Sequence, residues 1–154
     1  VLVEALAISE KDALVYKYLG ICEEKLGNMT IAIDMYKKSA KINPQDKNIW
    51  HKLGMLQVNL KSYEDAEKSF EEACKVTPIN TDVQAGWGMA LLKQKKYPQA
   101  LEKFTKAIQF NRYNFSAMLL AAIVEIRLGN YNEAETKLNF LMNTKFSTKT
   151  LYNL

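Results

Sequence analysis

The residues best suited to metal binding or nucleophilic chemistry are few. There is one histidine, His51, and there are two cysteines, Cys22 and Cys74. A lone imidazole cannot build a metal cluster with itself, and the cysteines are not at ligand spacing. Nothing resembles a glycine-rich phosphate loop or a nucleophile elbow. No catalytic residue, metal or cofactor is therefore expected, and His51 reads as a polar contact rather than a general base. What the spacing does offer is contact chemistry. Ile21, Met55, Met89 and Ile123 recur at a 34-residue step, with Val58, Leu92 and Ile126 as a second row beside them. Lys17, Asn48, His51, Asn59, Lys93 and Arg127 supply a polar and mostly basic edge. A contiguous exposed apolar stripe marks a binding surface, and methionine is an adaptable contact residue. The competing reading is that these side chains pack against their own neighbouring helices.

The elements that carry this stripe must be helices. Of the 154 residues, 48% are apolar and 25% charged, with only three prolines and six glycines, and net charge is +4. Lys and Arg are dispersed among Asp and Glu, so no nucleic-acid footprint is expected. The longest apolar run, "AMLLAAIV" at 117–124, ends at Glu125 and is too short to span a bilayer. "VLVEALAI" at the start lacks the basic leader of a secretory signal. Cys22 and Cys74 lie in apolar helical patterns and are expected to be buried thiols. They suit a reducing, cytoplasmic setting.

Several series share the 34-residue period: Leu19-Gly20, Leu53-Gly54 and Trp87-Gly88; Ala32, Ala66, Ala100 and Ala134; Tyr36, Phe70, Phe104 and Leu138; Pro44 and Pro78. Asp12, Asp46, Asn80, Asn114 and Thr148 keep the same step, and each is a good helix N-cap before an apolar helical pattern. Between caps the pattern divides into two helices joined by short turns: "GNM" at 27–29, "KSY" at 61–63, "KKY" at 95–97 and "GNY" at 129–131. Lys61 and Lys95 replace the turn glycine found at Gly27 and Gly129, so a positive φ there is expected to be strained. Pro98 falls in a first helical turn, where its missing N–H does no harm. Gly20, Gly54 and Gly88 are expected to be points of close helix approach, so Gly54→Leu is expected to cost about 1–3 kcal/mol by overpacking. In "QAGWGMALL", Gln84 and Trp87 stand where Trp50 and Leu53 stand one period earlier. The expectation there is an exchange of large and small residues.

This pattern resembles the tetratricopeptide repeat, whose period and W-x2-L-G-x2-Y…A-x3-F…P signature "WHKLG", Tyr63, Ala66, Phe70 and Pro78 match. The resemblance covers nearly the whole chain. It implies an all-α, right-handed superhelical solenoid of antiparallel helix pairs. The repeats read as 13–46, 47–80, 81–114 and a degenerate 115–148. Residues 1–12 read as the tail and loop of a preceding repeat and 149–154 as the start of a following helix, so the chain reads as a piece of a longer array. The resemblance further implies a non-catalytic scaffold whose first helices line a groove for a peptide or helix of a partner protein. The basic edge would favour an acidic flank on that partner. Some chaperone-adaptor members grip a C-terminal carboxylate with Lys, Asn, Asn, Lys and Arg. Here those places hold Lys17, Ile21, Lys52, Asp82 and Gly86, so such a clamp is not expected. The alternatives are self-assembly into homo-oligomers through the array ends, and a regulatory or adaptor arm of a larger enzyme or chaperone.

Overall fold

The computed structural model describes the backbone of residues 2–151 and the side chains of residues 11–144. Two compact units are present, Val1–Pro78 and Ile79–Leu154. The first holds α1 (Leu2–Lys25), α2 (Met29–Ile42), α3 (Ile49–Asn59) and α4 (Tyr63–Val76). The second holds α5 (Thr81–Lys93), α6 (Tyr97–Phe110), α7 (Phe115–Leu128) and α8 (Tyr131–Leu151). No strand occurs among the described residues.

Two of the five expected caps act where the helices begin, and the cap position of α3 falls at Asn48 rather than at Asp46. The Asn80 side chain accepts from the N–H groups of Asp82 and Val83 at 2.9 and 3.1 Å. Asn114 accepts from Ala117 at 2.9 Å. Asp46 accepts from the Asn48 N–H at 2.9 Å and so closes the single turn that leads into α3. The cap expected at Asp12 is not formed, because α1 runs unbroken through it. "ISEKDALV" contains neither glycine nor proline, and one aspartate is too weak a breaker to stop a helix. Thr148 likewise lies within α8, past the position where the proline series lapses at Phe146. Its side chain is outside the described residues. Where prolines do follow the helix, at Pro44 and Pro78, α2 and α4 end.

Each turn inside a pair closes in the same way. The N–H groups of Asn28, Ser62, Lys96 and Asn130 return to the carbonyls of Glu23, Gln57, Leu91 and Glu125 at 2.8–3.0 Å. This is the Schellman pattern, which needs a left-handed residue just before the returning N–H. Gly27 and Gly129 supply it at φ 85° and 81°, but Lys61 and Lys95 are forced there at 62° and 61°. Pro98 falls in the opening turn of α6, as expected.

The glycines answer to the rings of the second helix. A Cβ at Gly20 would lie 2.6 Å from Tyr36 Cε1, one at Gly54 would lie 2.8 Å from Phe70 Cε1 and Cζ, and one at Gly88 would lie 2.7 Å from Phe104 Cε1. All three rings are fully buried. In the fourth pair the glycine position is Ala122, where the period supplies Leu138 instead of a ring. Successive pairs then join through small cores. In the first unit Ala32, Tyr36 and Ala40 meet Ile49, Leu53 and Leu56. In the second, Ala100, Phe104 and Ala107 meet Ala117, Ala121 and Val124. Trp87 packs on the edge of that second core with the Lys103 ammonium 3.6 Å from its ring centroid, while Gln84 is buried in the tryptophan position.

Candidate functional site

The first unit gathers part of the stripe into one concavity of about 350 Å³. It is lined by Lys17 and Glu24 of α1, by Asn48 just before α3, and by His51, Lys52, Met55, Leu56 and Asn59. Met55 and Leu56 give it an apolar floor, and amide, imidazole and charged groups surround them. Lys17, Asn48, His51, Met55 and Asn59 are stripe positions. Lys52 and Leu56 lie one residue outside it. They are reached because a helix i+4 from Asn48 is Lys52 and i+4 from Lys52 is Leu56, so the lining runs beside the stripe as well as along it. Glu24 follows Ile21 at i+3 on α1. His51 also stands 6.2 Å, ring to ring, from the buried Phe70, which ties this wall to the core.

The charges inside the concavity are largely paired. Lys17 Nζ is 2.7 Å from Asp46 Oδ2, with both side chains mostly buried. Lys52 Nζ is 3.7 Å from Glu24 Oε2, and that carboxylate also accepts from the Tyr36 hydroxyl at 2.8 Å. Burial pushes the Tyr36 phenol well up, and the Glu24 carboxylate beside it adds to the rise. For Asp46, burial acts upward, but the Lys17 ammonium and the N–H groups of Asn48 and Ile49 outweigh it and hold the carboxyl below its ordinary value. Of the expected basic edge, Lys17 is paired with Asp46, and Lys52 beside it is paired with Glu24.

Other stripe positions fall elsewhere. Val58 is buried, at 6% exposure, and is a core residue rather than part of an open row. At the end of α3, Leu56, Gln57 and Val58 are consecutive buried positions, so this helix is enclosed over a broader arc than one amphipathic face. Ile21 is half-buried and packs on the first core. In the second unit Met89 is half-buried and Leu92 packs on the core of α6 and α7. On α7, Ile123 and Ile126 are 38% and 45% exposed with Arg127 exposed next in sequence, and Lys93 at the end of α5 is exposed as well. The expected burial of the cysteines is also corrected. Cys22 is exposed and Cys74 half-buried. Cys22 occupies the period position of the buried Leu56, but on an α1 face left open. Among the described residues no group of three His, Cys, Asp or Glu side chains could hold a metal ion, and no helix is long and apolar enough to cross a membrane.

Comparison with known families joins the helix pairs and their period to a lineage. Residues 41–145 match the model of the cytochrome c-type biogenesis protein H TPR domain, and residues 18–46 match a tetratricopeptide repeat model. The chain belongs to the tetratricopeptide repeat family. Its all-α helix-pair architecture recurs in solved structures of that class. A crystal structure of MamA aligns with a TM-score of 0.86 at 15% identity, covering 96% of this chain and 86% of that one. MamA from Desulfovibrio magneticus RS-1 aligns at 0.82 and 18%, covering 88% and 77%. The first TPR of Spaghetti (RPAP3), bound to the HSP90 peptide SRMEEVD, aligns at 0.74 and 22%, covering 78% and 95%. At these identities the likeness is one of fold. No curated protein matches the chain.

Proposed function

We propose that this tetratricopeptide repeat chain is a non-catalytic protein–protein interaction scaffold, and that the concavity between α1 and α3 seats a peptide or helix of a partner. One observation carries the reading: residues from five positions of the periodic stripe converge on a concavity with a methionine–leucine floor. A structural neighbour of the same fold, the RPAP3 repeat, holds a peptide. The internal pairing of Lys17 with Asp46 and of Lys52 with Glu24 favours a partner that offers an apolar side chain flanked by neutral polar groups. A terminal carboxylate would have to compete with Asp46 for Lys17. Ile123 and Ile126 on α7 are a separate apolar contact in the second unit.

The test is selection from a displayed peptide library with the purified chain. Peptides with an apolar anchor are expected to be enriched, and Met55→Glu is expected to abolish their capture while far-UV circular dichroism stays unchanged. Asn59→Glu, at the exposed rim, gives the same readout with less risk to the core. Capture that survives both changes removes the concavity as the site. Collapse of helicity in Met55→Glu shows that the methionine is structural.

A further inference from the structure

The 34-residue period places the same three positions in both units. In the second unit they are Leu92 of α5, Phe104 of α6 and Leu120 of α7. All three belong to one apolar core: Phe104 is buried in it, and Leu92 and Leu120 pack on it. In the first unit the same positions hold Glu24 of α1, Tyr36 of α2 and Lys52 of α3. Apolar side chains are thus exchanged for a carboxylate, a phenol and an ammonium. An ion pair in such a place carries a desolvation cost that an apolar set does not. Packing alone does not call for the exchange, since the next pair fills the positions of Glu24 and Tyr36 with Val58 and Phe70, both buried.

The polar set has a definite geometry. Tyr36 is fully buried, and its hydroxyl donates to Glu24 Oε2 at 2.8 Å. A close-packed ring cannot follow the carboxylate, so the ring fixes the carboxylate. Lys52 Nζ stands 3.7 Å from the same oxygen, against 2.7 Å in the closed pair of Lys17 with Asp46. Oε1 of Glu24 takes no hydrogen bond among the described residues. Glu24 and Lys52 both line the α1–α3 concavity and both are partly exposed. Its wall therefore carries an acceptor and a donor side by side, held just short of direct contact.

We propose that the Tyr36 hydroxyl is a positioning group that sets the specificity of the concavity: it holds Glu24 short of Lys52, so that the two read a side-chain carboxamide, of glutamine or asparagine, beside the partner's apolar anchor. A carboxamide supplies both halves on separate atoms, an N–H donor for Glu24 and a carbonyl acceptor for Lys52. It also brings no net charge to a wall where Lys17 is balanced by Asp46 and Lys52 by Glu24. A partner carboxylate on Lys52 would stand beside Glu24, and a partner ammonium on Glu24 would stand beside Lys52. Like-charge juxtaposition of that kind is unfavourable in a partly buried site. The proposal rests on the α1–α3 concavity as the peptide site and names the residue type that the site selects.

The test is fluorescence anisotropy with three labelled peptides that differ only beside a leucine anchor, which is flanked on both sides by glutamine, by glutamate or by lysine. The parent chain is expected to bind the glutamine peptide about three- to tenfold more tightly than the other two, the scale of one net hydrogen bond. Tyr36→Phe keeps the ring and is expected to hold helicity, since Phe70 and Phe104 fill the same place. Released from the hydroxyl, Glu24 closes on Lys52, and the glutamine preference is expected to be lost. Tyr36→Phe combined with Glu24→Val repeats the pairing of Phe70 with Val58 and leaves Lys52 without its carboxylate. That double variant is expected to prefer the glutamate peptide. The ratio of affinities is the readout, because a loss of packing weakens all three peptides alike. Where Met55→Glu abolishes binding, a parent that binds the three peptides alike, or a glutamine preference that Tyr36→Phe leaves intact, overturns the proposal and spares the concavity. Binding of none of the peptides, or binding that Met55→Glu leaves intact, overturns the concavity reading and this proposal with it.

Discussion

Gly54→Ala separates the two forces acting at the centre of each helix pair. By helix propensity alone the change gains about 1 kcal/mol. The new Cβ, however, falls 2.8 Å from two atoms of the Phe70 ring, which is fully buried and held from all sides. Relief requires a shift of ring or helix, an overpacking cost of about 1–3 kcal/mol. The net expectation is a loss of about 0–2 kcal/mol, or a few degrees in Tm at about 2–4 °C per kcal/mol for a chain of this size. Gly54→Leu carries the same clash with a larger side chain and is expected to fall further. Urea and thermal unfolding followed by circular dichroism give the number. The decisive arm is a cycle with Phe70→Leu, which creates space where the Cβ intrudes. The double variant is expected to be more stable than the sum of its parts by about 0.5–3 kcal/mol. A Gly54→Ala chain that melts above its parent, with no coupling to Phe70, would refute the close-approach account of the repeated glycine.

Two further outcomes follow from the geometry. Asp46→Asn is expected to cost about 1 kcal/mol at pH 7, the scale of one partly buried charge-assisted bond. Because the folded carboxyl titrates below its unfolded value, its contribution is present above the unfolded pKa of about 3.9 and is lost as pH falls through the folded one. The variant and parent stability curves are therefore expected to converge below about pH 4, which a pH series of urea midpoints reads directly. Lys95→Gly relieves a non-glycine residue at φ 61° and is expected to stabilise the chain by up to about 1 kcal/mol, raising the urea midpoint.

The fold was legible because its determinants are local and periodic. The turns at Gly27, Lys61, Lys95 and Gly129, the caps at Asn80 and Asn114, and the glycine–ring pairs each follow from residue type at a fixed step. What the period could not show is which copy of a position is covered. Asp12 and Asp46 are the same residue in the same register, yet one lies inside a helix and the other closes a turn, since only the second follows a proline. Val58 and Ile126 are likewise period mates, one sealed and one open. Charge pairing was hidden for a related reason: Lys17 and Asp46 are distant in sequence, and only packing of α1 beside the loop before α3 brings them to 2.7 Å.

Each glycine in the pairs meets its ring sixteen residues further along the chain, and the next core is assembled from the following helix. Such a molecule is wired almost entirely to its neighbours in sequence. Folding can begin in whichever pair first closes, with little loop entropy to overcome. The same wiring lets an outer pair open while the interior stays shut, so amide exchange is expected to run fastest in the terminal helices and slowest around Phe70 and Phe104.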